Sequence, residues 1–257
     1  RIIMRYFIRL AYNGAPFCGW QIQPNGTSVQ GELERAFSLI LNEEIGITGC
    51  GRTDAGVNAR NFYAHFDSLQ FFSHEELIHL VHRINRFLPK EIVIFEIFPV
   101  HNDLHARFSA TERTYKYYIS RQKNPFDTQF AYPLHIPLDI SLMNEAANYL
   151  LTVEDFTSFS KLHTQTHTNI CNVTKALWHQ TDNQLIFEIS ANRFLRNMVR
   201  AVVGTLLWVG NGKITLEQFK EIVAAKNRCK AGFSVPANAL FLEDIRYNFE
   251  STKENSK

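Results

Sequence analysis

Apolar and polar positions alternate along residues 5–12 well enough to predict a strand. A stretch rich in Gly, Pro and Asn follows at 13–26 and reads as loop. Thr27 and Gln30 stand at capping-box spacing, and Val29, Leu33, Ala36, Phe37, Ile40 and Leu41 then recur with helical period, predicting a helix to about Asn42. Apolar, β-prone segments at 45–50 and 62–66 flank a short glycine-bounded loop and predict two strands. Ser73 and Glu76 form a second capping box. It precedes Leu77, Leu80, Val81, Ile84, Phe87 and Leu88, with Pro89 closing that helix. Residues 91–98 read as a strand. The order is β-α-β-β-α-β, that of a ferredoxin-like unit.

A second series follows. Residues 114–120 form a tyrosine-rich strand, and 141–151 a helix with Leu142, Ala146, Tyr149 and Leu150 at suitable spacing. Residues 173–180 and 184–190 form a hairpin turned at Thr181, Asp182 and Asn183. Residues 194–209 predict a long helix closed by Gly210, and Thr215 with Gln218 starts a short one. A last strand at 240–247 precedes a polar tail at 250–257. The expectation is an α+β fold of two ferredoxin-like halves, 1–105 and 106–257, forming a largely antiparallel sheet with a central cleft. The repetition lies in element order; no sequence repeat accompanies it.

Composition narrows the function. The 257 residues are 45% hydrophobic and 20% charged, a globular balance with length for a sizeable core. A net charge of +2 excludes a bulk-electrostatic nucleic-acid binder, so any RNA contact needs locally clustered Lys and Arg. Cys18, Cys50, Cys171 and Cys229 are scattered and form no C-x-x-C pair, which points to a reducing, cytoplasmic setting. Residues 1–10 lack the pattern of a signal peptide, and the apolar run at 201–209 is too short to span a bilayer. Met4 is a candidate native start, with Arg1 to Ile3 then additional.

Candidate chemistry centres on Gly51-Arg52-Thr53-Asp54-Ala55-Gly56-Val57. A carboxylate on a loop carried by strands can serve as a nucleophile, and a cation two residues away favours its ionised form. The plainer reading is an Asx-turn at Asp54 and a solvated Arg52. On the tyrosine strand, Tyr115 and Tyr117 share one face while Lys116 and Tyr118 share the other. An aromatic beside basic residues can stack a nucleobase, and its phenol can move a proton; core tyrosines are the bland alternative. Arg193, Arg196 and Arg200 recur at helical spacing and form a basic stripe suited to phosphate, or a merely solvated face. His163, His167 and Cys171 have metal-like spacing, but the segment 158–169 is polar and loop-like and no fourth ligand is evident. No metal site is therefore assigned, and Lys161 with His163 reads better as an RNA-contacting loop. No Walker A loop, G-x-G-x-x-G, G-x-S-x-G or H-E-x-x-H is present, so no nucleotide cofactor is indicated.

Five ordered motifs resemble the TruA-type tRNA pseudouridine synthases. They are Tyr12-Asn13-Gly14 through Gly19-Trp20-Gln21, Gln23-Pro24-Asn25 and Val29-Gln30-Gly31; then Gly51 to Val57; Ala106 to Tyr115; Phe194 to Gly204; and Ala231-Gly232 with Pro236 to Leu242. The resemblance spans nearly the whole chain. It implies conversion of uridine to pseudouridine in the tRNA anticodon stem-loop at positions 38, 39 and 40, by a homodimer, without metal or organic cofactor. Carried onto this sequence, it makes Asp54 the nucleophile, with attack on the sugar and abstraction of a sugar proton both open, and has Arg52 help displace or replace the flipped base. Tyr115 stacks on the target uracil and assists proton removal, and Arg200 pairs with Asp54. Gln21, Lys161, His163, Arg193 and Arg196 fall to RNA binding. Asn58 departs from the family, where histidine is common, and an amide cannot titrate near neutrality. Two rivals stay open at this point: a non-catalytic RNA-binding protein on the same units, and a metal-dependent enzyme using His163, His167 and Cys171.

Overall fold

A computed structural model describes residues 2–164 and 167–250. The chain divides into two compact units. One takes in the described residues up to Thr111 together with those from Leu242 onward; the other is Glu112–Phe241.

In the first unit the strands are β1 (Met4–Tyr12), β2 (Thr48–Gly49), β3 (Asn58–Ser68) and β4 (Ile92–Val100), with the helices α1 (Val29–Leu41) and α2 (His74–Phe87) between them. β1 pairs antiparallel with both β3 and β4, placing Ile8 opposite Ala64 on one side and Ile97 on the other. The two-residue β2 pairs antiparallel with β3. Along β1 the period of two splits its side chains between faces. Tyr6 stacks on Phe66 at 5.4 Å, and Phe37 of α1 meets Phe66 at 5.0 Å, so this face receives the helices. The opposite face buries Phe7 with Leu104 and Ala106, flanked by Tyr63, Phe98, Val100 and Tyr247.

Both helices start where side chains take up free backbone donors. At α2 the Ser73 hydroxyl accepts the Glu76 N–H at 3.2 Å, and the Glu76 carboxylate accepts the Ser73 N–H at 2.7 Å, as the capping box predicts. At α1 the cap is Ser28, accepting from Gly31 N–H at 3.0 Å, and not the expected Thr27–Gln30 box. Gln30 is occupied elsewhere: its amide accepts from Ile22 N–H and donates to the Ile47 carbonyl. Other α1 side chains take up backbone donors of the same stretch, Ser38 Oγ accepting from Ile45 N–H and Glu34 Oε1 from Ile47 N–H at 2.9 Å each, so 45–50 is not a full strand. Ile45, Ile47 and Cys50 are buried, yet only Thr48 and Gly49 join the ladder.

In the second unit β5 (Ala110–Ser120) enters from the first. It is followed by β6 (Tyr132–Pro133), α3 (Ile140–Tyr149), β7 (Val173–Gln180), β8 (Gln184–Ala191), α4 (Met198–Gly210) and α5 (Leu216–Ala225). The sheet runs β5-β8-β7, antiparallel throughout, with β6 parallel on β5. β9 (Leu240–Tyr247) leaves this unit to lie beside β3, where Arg60 meets the Glu243 carboxylate at 3.0 Å. The architecture is mixed α/β on mostly antiparallel sheet.

The long helix is shorter than its pattern predicts. α4 starts at Met198 because Asn197 holds a left-handed backbone, φ 66, which breaks the turn from Phe194. Its other end also differs: Gly210 is its last residue and is buried against Met143 and Leu138, and Gly212 carries the positive φ of 80. The polar tail beyond Glu250 lies outside the described residues. Among the described residues no helix is long and apolar enough to cross a membrane.

One buried titratable group belongs to this core. His65 on β3 is 5% exposed, and its Nδ1 accepts the Ala106 N–H at 3.0 Å. Burial, aided by Arg5 and His105, pushes its imidazole down to about 4. The unfolded chain therefore binds the proton first, near pH 6.5. Stability should be flat above pH 6.5 and fall between 6.5 and 4 by on the order of 3 kcal/mol at most from this residue. Urea unfolding of the wild type and His65→Asn across that window checks it; equal slopes against pH would refute it.

Candidate active site

The loop ahead of β3 is held at several backbone points. Val57 N–H donates to the Asp54 carbonyl at 3.1 Å, closing a turn in which Gly56 has φ 82. Thr53, 8% exposed, shares a 2.8 Å hydrogen bond with the Tyr12 hydroxyl. Its carbonyl accepts from Trp20 N–H at 3.3 Å. Asn58 is 2% exposed, and its Oδ1 accepts the Gly14 N–H at 2.8 Å.

The segment 14–20 thus lies backbone-to-backbone on 53–58. A Cβ at Gly14 would overlap the Val57 carbonyl, and one at Gly19, φ +92, would overlap that of Thr53. Only glycine permits both the approach and the angle. Behind the loop, the Trp20 indole stacks on Phe62 at 4.4 Å. The result is a half-buried Asp54 on a fixed backbone, beside an exposed Arg52. Gln21 is exposed directly after Trp20.

In the second unit the tyrosine strand divides by role. Tyr117 is fully buried, its hydroxyl donates to the Pro236 carbonyl at 2.9 Å, and burial drives its phenol well above the ordinary range. It is a core residue. Tyr115 is half-buried and meets Phe194 edge to face, 5.1 Å between centroids at 87°.

Arg200, in the first turn of α4, is half-buried. Its Nε donates to the Val235 carbonyl at 2.8 Å, while Val235 N–H donates to the Arg200 carbonyl at 3.3 Å. The segment 231–235 can lie so close because a Cβ at Gly204 would overlap the Phe233 carbonyl.

The expected arginine stripe is a correction. Arg193 and Arg196 precede α4, so they share no helical face with Arg200. Arg193 donates to the carbonyls of Thr168 and Ile170 at 3.0 and 3.2 Å and ties down that loop. Arg196 is exposed, and its carbonyl accepts from Lys161 N–H at 3.1 Å. Lys161 and His163 are exposed on the same loop, His163 with φ 60.

Among the described residues no group of three or more His, Cys, Asp or Glu is arranged to hold a metal ion. Cys171 is buried with its sulfur 4.0 Å from that of Met198, and burial pushes its thiol up to about 11, the opposite of what a thiolate ligand requires.

Sequence reading missed several residues that position these groups. Tyr12 is read from the sequence as the end of a strand and the start of the first motif, and Asn58 as a departure from the family; neither reading contains their grip on the loop of Asp54. Asn197 and Ser234 bond at 2.5 Å beside Arg200. The one available signal was the crowding of glycines at 14 and 19 opposite a second glycine-bounded loop.

A family model described as tRNA pseudouridine synthase matches residues 146–248. tRNA pseudouridine synthase A of Parabacteroides distasonis is 51% identical over 243 residues, covering 95% of this chain and 96% of the relative. That of Bacteroides fragilis is 51% identical over 248 residues, with 95% and 97% covered. That of Bacteroides thetaiotaomicron is 49% identical over 261 residues, with 99% and 95% covered. The chain belongs to the tRNA pseudouridine synthase family. Its relatives are of the A type, the one the five motifs resemble, and as an RNA pseudouridine synthase it is an isomerase.

The Asn58 grip can be measured. Asn58→Ala leaves the buried Gly14 N–H without its acceptor and should destabilise the protein by about 1–3 kcal/mol. A change below about 0.5 kcal/mol in denaturant titration would remove this bond from the loop's support.

Proposed function

We propose that this chain isomerises uridine to pseudouridine in the anticodon stem-loop of tRNA, at positions 38–40, with Asp54 as nucleophile. Membership of the family supports the tRNA reaction. The observation that carries the Asp54 assignment is the fixed turn 53–57, in which a half-buried carboxylate is presented from a backbone gripped by Tyr12, Gly14, Trp20 and Asn58. A preorganised nucleophile loses little freedom on reaching the transition state.

The chemistry needs no external donor, since substrate and product contain the same atoms. The target base first leaves the stack, at a cost of a few kcal/mol. Asp54 attacks the ribose at C1′, and uracil departs with the electrons of the N1–C1′ bond. The base turns, C5 attacks C1′, and the carboxylate is released. The proton lost from C5 is balanced by one gained at N1.

Tyr115 stacks on the uracil and assists removal of the C5 proton. Arg52 takes the place of the flipped base, and Arg200 serves as counter-cation to Asp54. Gln21, Lys161, His163, Arg193 and Arg196 contact the RNA. For Arg193 the role is to hold the 168–170 loop while its remaining donors face phosphate. The proposal includes a ferredoxin-like description of both halves, divided near 105/106, a homodimeric assembly and a cytoplasmic location.

The test is tritium release from tRNA carrying 5-³H-uridine, with EDTA present. Wild type should release label, and Asp54→Ala should lose roughly 10³-fold or more in rate. Retained turnover in the variant overturns the nucleophile assignment. Mapping of the product uridines outside 38–40 overturns the anticodon-arm assignment.

A further inference from the structure

The loop between β4 and β5 presents an aromatic ring to water on a rigid mount. His105 N–H donates to the Ser109 hydroxyl at 2.9 Å, and Ser109 N–H returns to the His105 carbonyl at 2.9 Å. The His105 Nδ1 accepts from both Arg107 and Phe108 N–H, each at 3.1 Å. Two donors aimed at Nδ1 exclude a proton there, so the ring is neutral and carries its hydrogen on Nε2. Its lowered basicity, from burial and from Arg5 and Arg107, agrees.

Rings continue from this mount into the core. His105 packs edge to face on His65 at 4.7 Å, and His65 stacks on Phe7 at 6.1 Å, within the cluster of Phe7, Leu104 and Ala106. On its outer side His105 carries Phe108, stacked at 4.4 Å and 26°. Phe108 is 77% exposed. The Arg107 guanidinium lies 5.5 Å from its ring centroid. Leaving so large an apolar ring in water is unfavourable, and here its backbone and one face are fixed at the same time.

We propose that the exposed face of Phe108 is a stacking platform for a nucleobase of the RNA substrate, with Arg107 beside it for the adjoining phosphate. Bases stack on exposed aromatic rings regardless of identity, and a guanidinium next to the ring complements the charge of the strand. Because the target uracil is assigned to Tyr115, the base on Phe108 belongs to a different nucleotide. The inference rests on tRNA being the substrate.

The first test is filter binding of unmodified tRNA to the wild type and to Phe108→Ala, Phe108→Leu and Phe108→Trp. Truncating a ring that is 77% exposed opens no cavity, so the fold should persist, and circular dichroism checks this. Alanine and leucine should weaken binding by roughly 5- to 150-fold, the span of about 1–3 kcal/mol for one stacked base, and tryptophan should restore it. The second test is irradiation of the complex with tRNA carrying 5-iodouridine, which should give a crosslinked peptide containing Phe108.

Wild-type affinity in Phe108→Ala, with crosslinks mapping elsewhere, overturns the platform. So does a change of sedimentation mass in Phe108→Ala without loss of RNA affinity, which would make the ring a contact between copies of the chain. Absence of tRNA binding by the wild type instead overturns the substrate reading, so the two failures are distinguishable.

Discussion

The candidate site depends on one close approach of backbone to backbone. Residues 14–20 press against 53–58 with no side chain between them at Gly14 or Gly19, and their peptide groups bond directly or through Asn58 and Tyr12. A carboxylate on an ordinary surface loop would sample many positions. Here the chain on both sides of Asp54 is bonded, so the backbone that carries it is fixed. The hydrophobic layer beneath, with Trp20 on Phe62 and Tyr12 edge-on to Phe62 at 5.5 Å, keeps the two segments from separating. Packing, hydrogen bonding and backbone sterics therefore act on the same few residues.

The second unit uses a similar device at Arg200. Gly204 lets the 231–235 segment lie on α4, where Gly232 N–H reaches the Thr205 hydroxyl at 2.8 Å and Val235 pairs with Arg200. This braces the guanidinium through its Nε. Asn197 and Ser234 tie the helix start to the same segment, which is why the helix begins at Met198 and why Arg193 and Arg196 leave its face.

Much of this was legible in the sequence. The period-two run of β1, the capping box of α2 and the hairpin of β7 and β8 are decided by local chemistry, and the structure follows the pattern closely at each. The Ser28 cap was missed because Gln30 looked like a capping partner, yet its amide bonds to Ile22 and Ile47, a tertiary use that spacing does not encode. The start of α4 was missed for a related reason. Residues 194–197 have helical composition, and the left-handed Asn197 is accompanied by a long-range bond to Ser234. The loop of Asp54 was found as a motif, while its support by Tyr12 and Asn58 lies in contacts 41 and 44 residues apart in sequence.

Asn58 and the arginines bear on how a protein of net charge +2 holds a polyanion. At Asn58 a neutral amide supplies the acceptor that Gly14 requires, so the support of the loop does not titrate. Several guanidiniums are likewise used inside the fold. Arg5, Arg121, Arg193 and Arg228 donate to the carbonyls of Leu104, Leu134, Thr168 and Gly232. A bond to a neutral carbonyl leaves the unit charge of the guanidinium intact but fixes its position, so each of these charges acts from where the backbone holds it. On the proposed reading, recognition draws on local features: guanidinium donors, and rings held out to solvent such as Phe108. Base stacking is only weakly sensitive to salt, whereas phosphate pairing is strongly so. A binder with little net charge and several fixed aromatic and guanidinium groups gains its affinity from shape and placement more than from the field of the whole molecule.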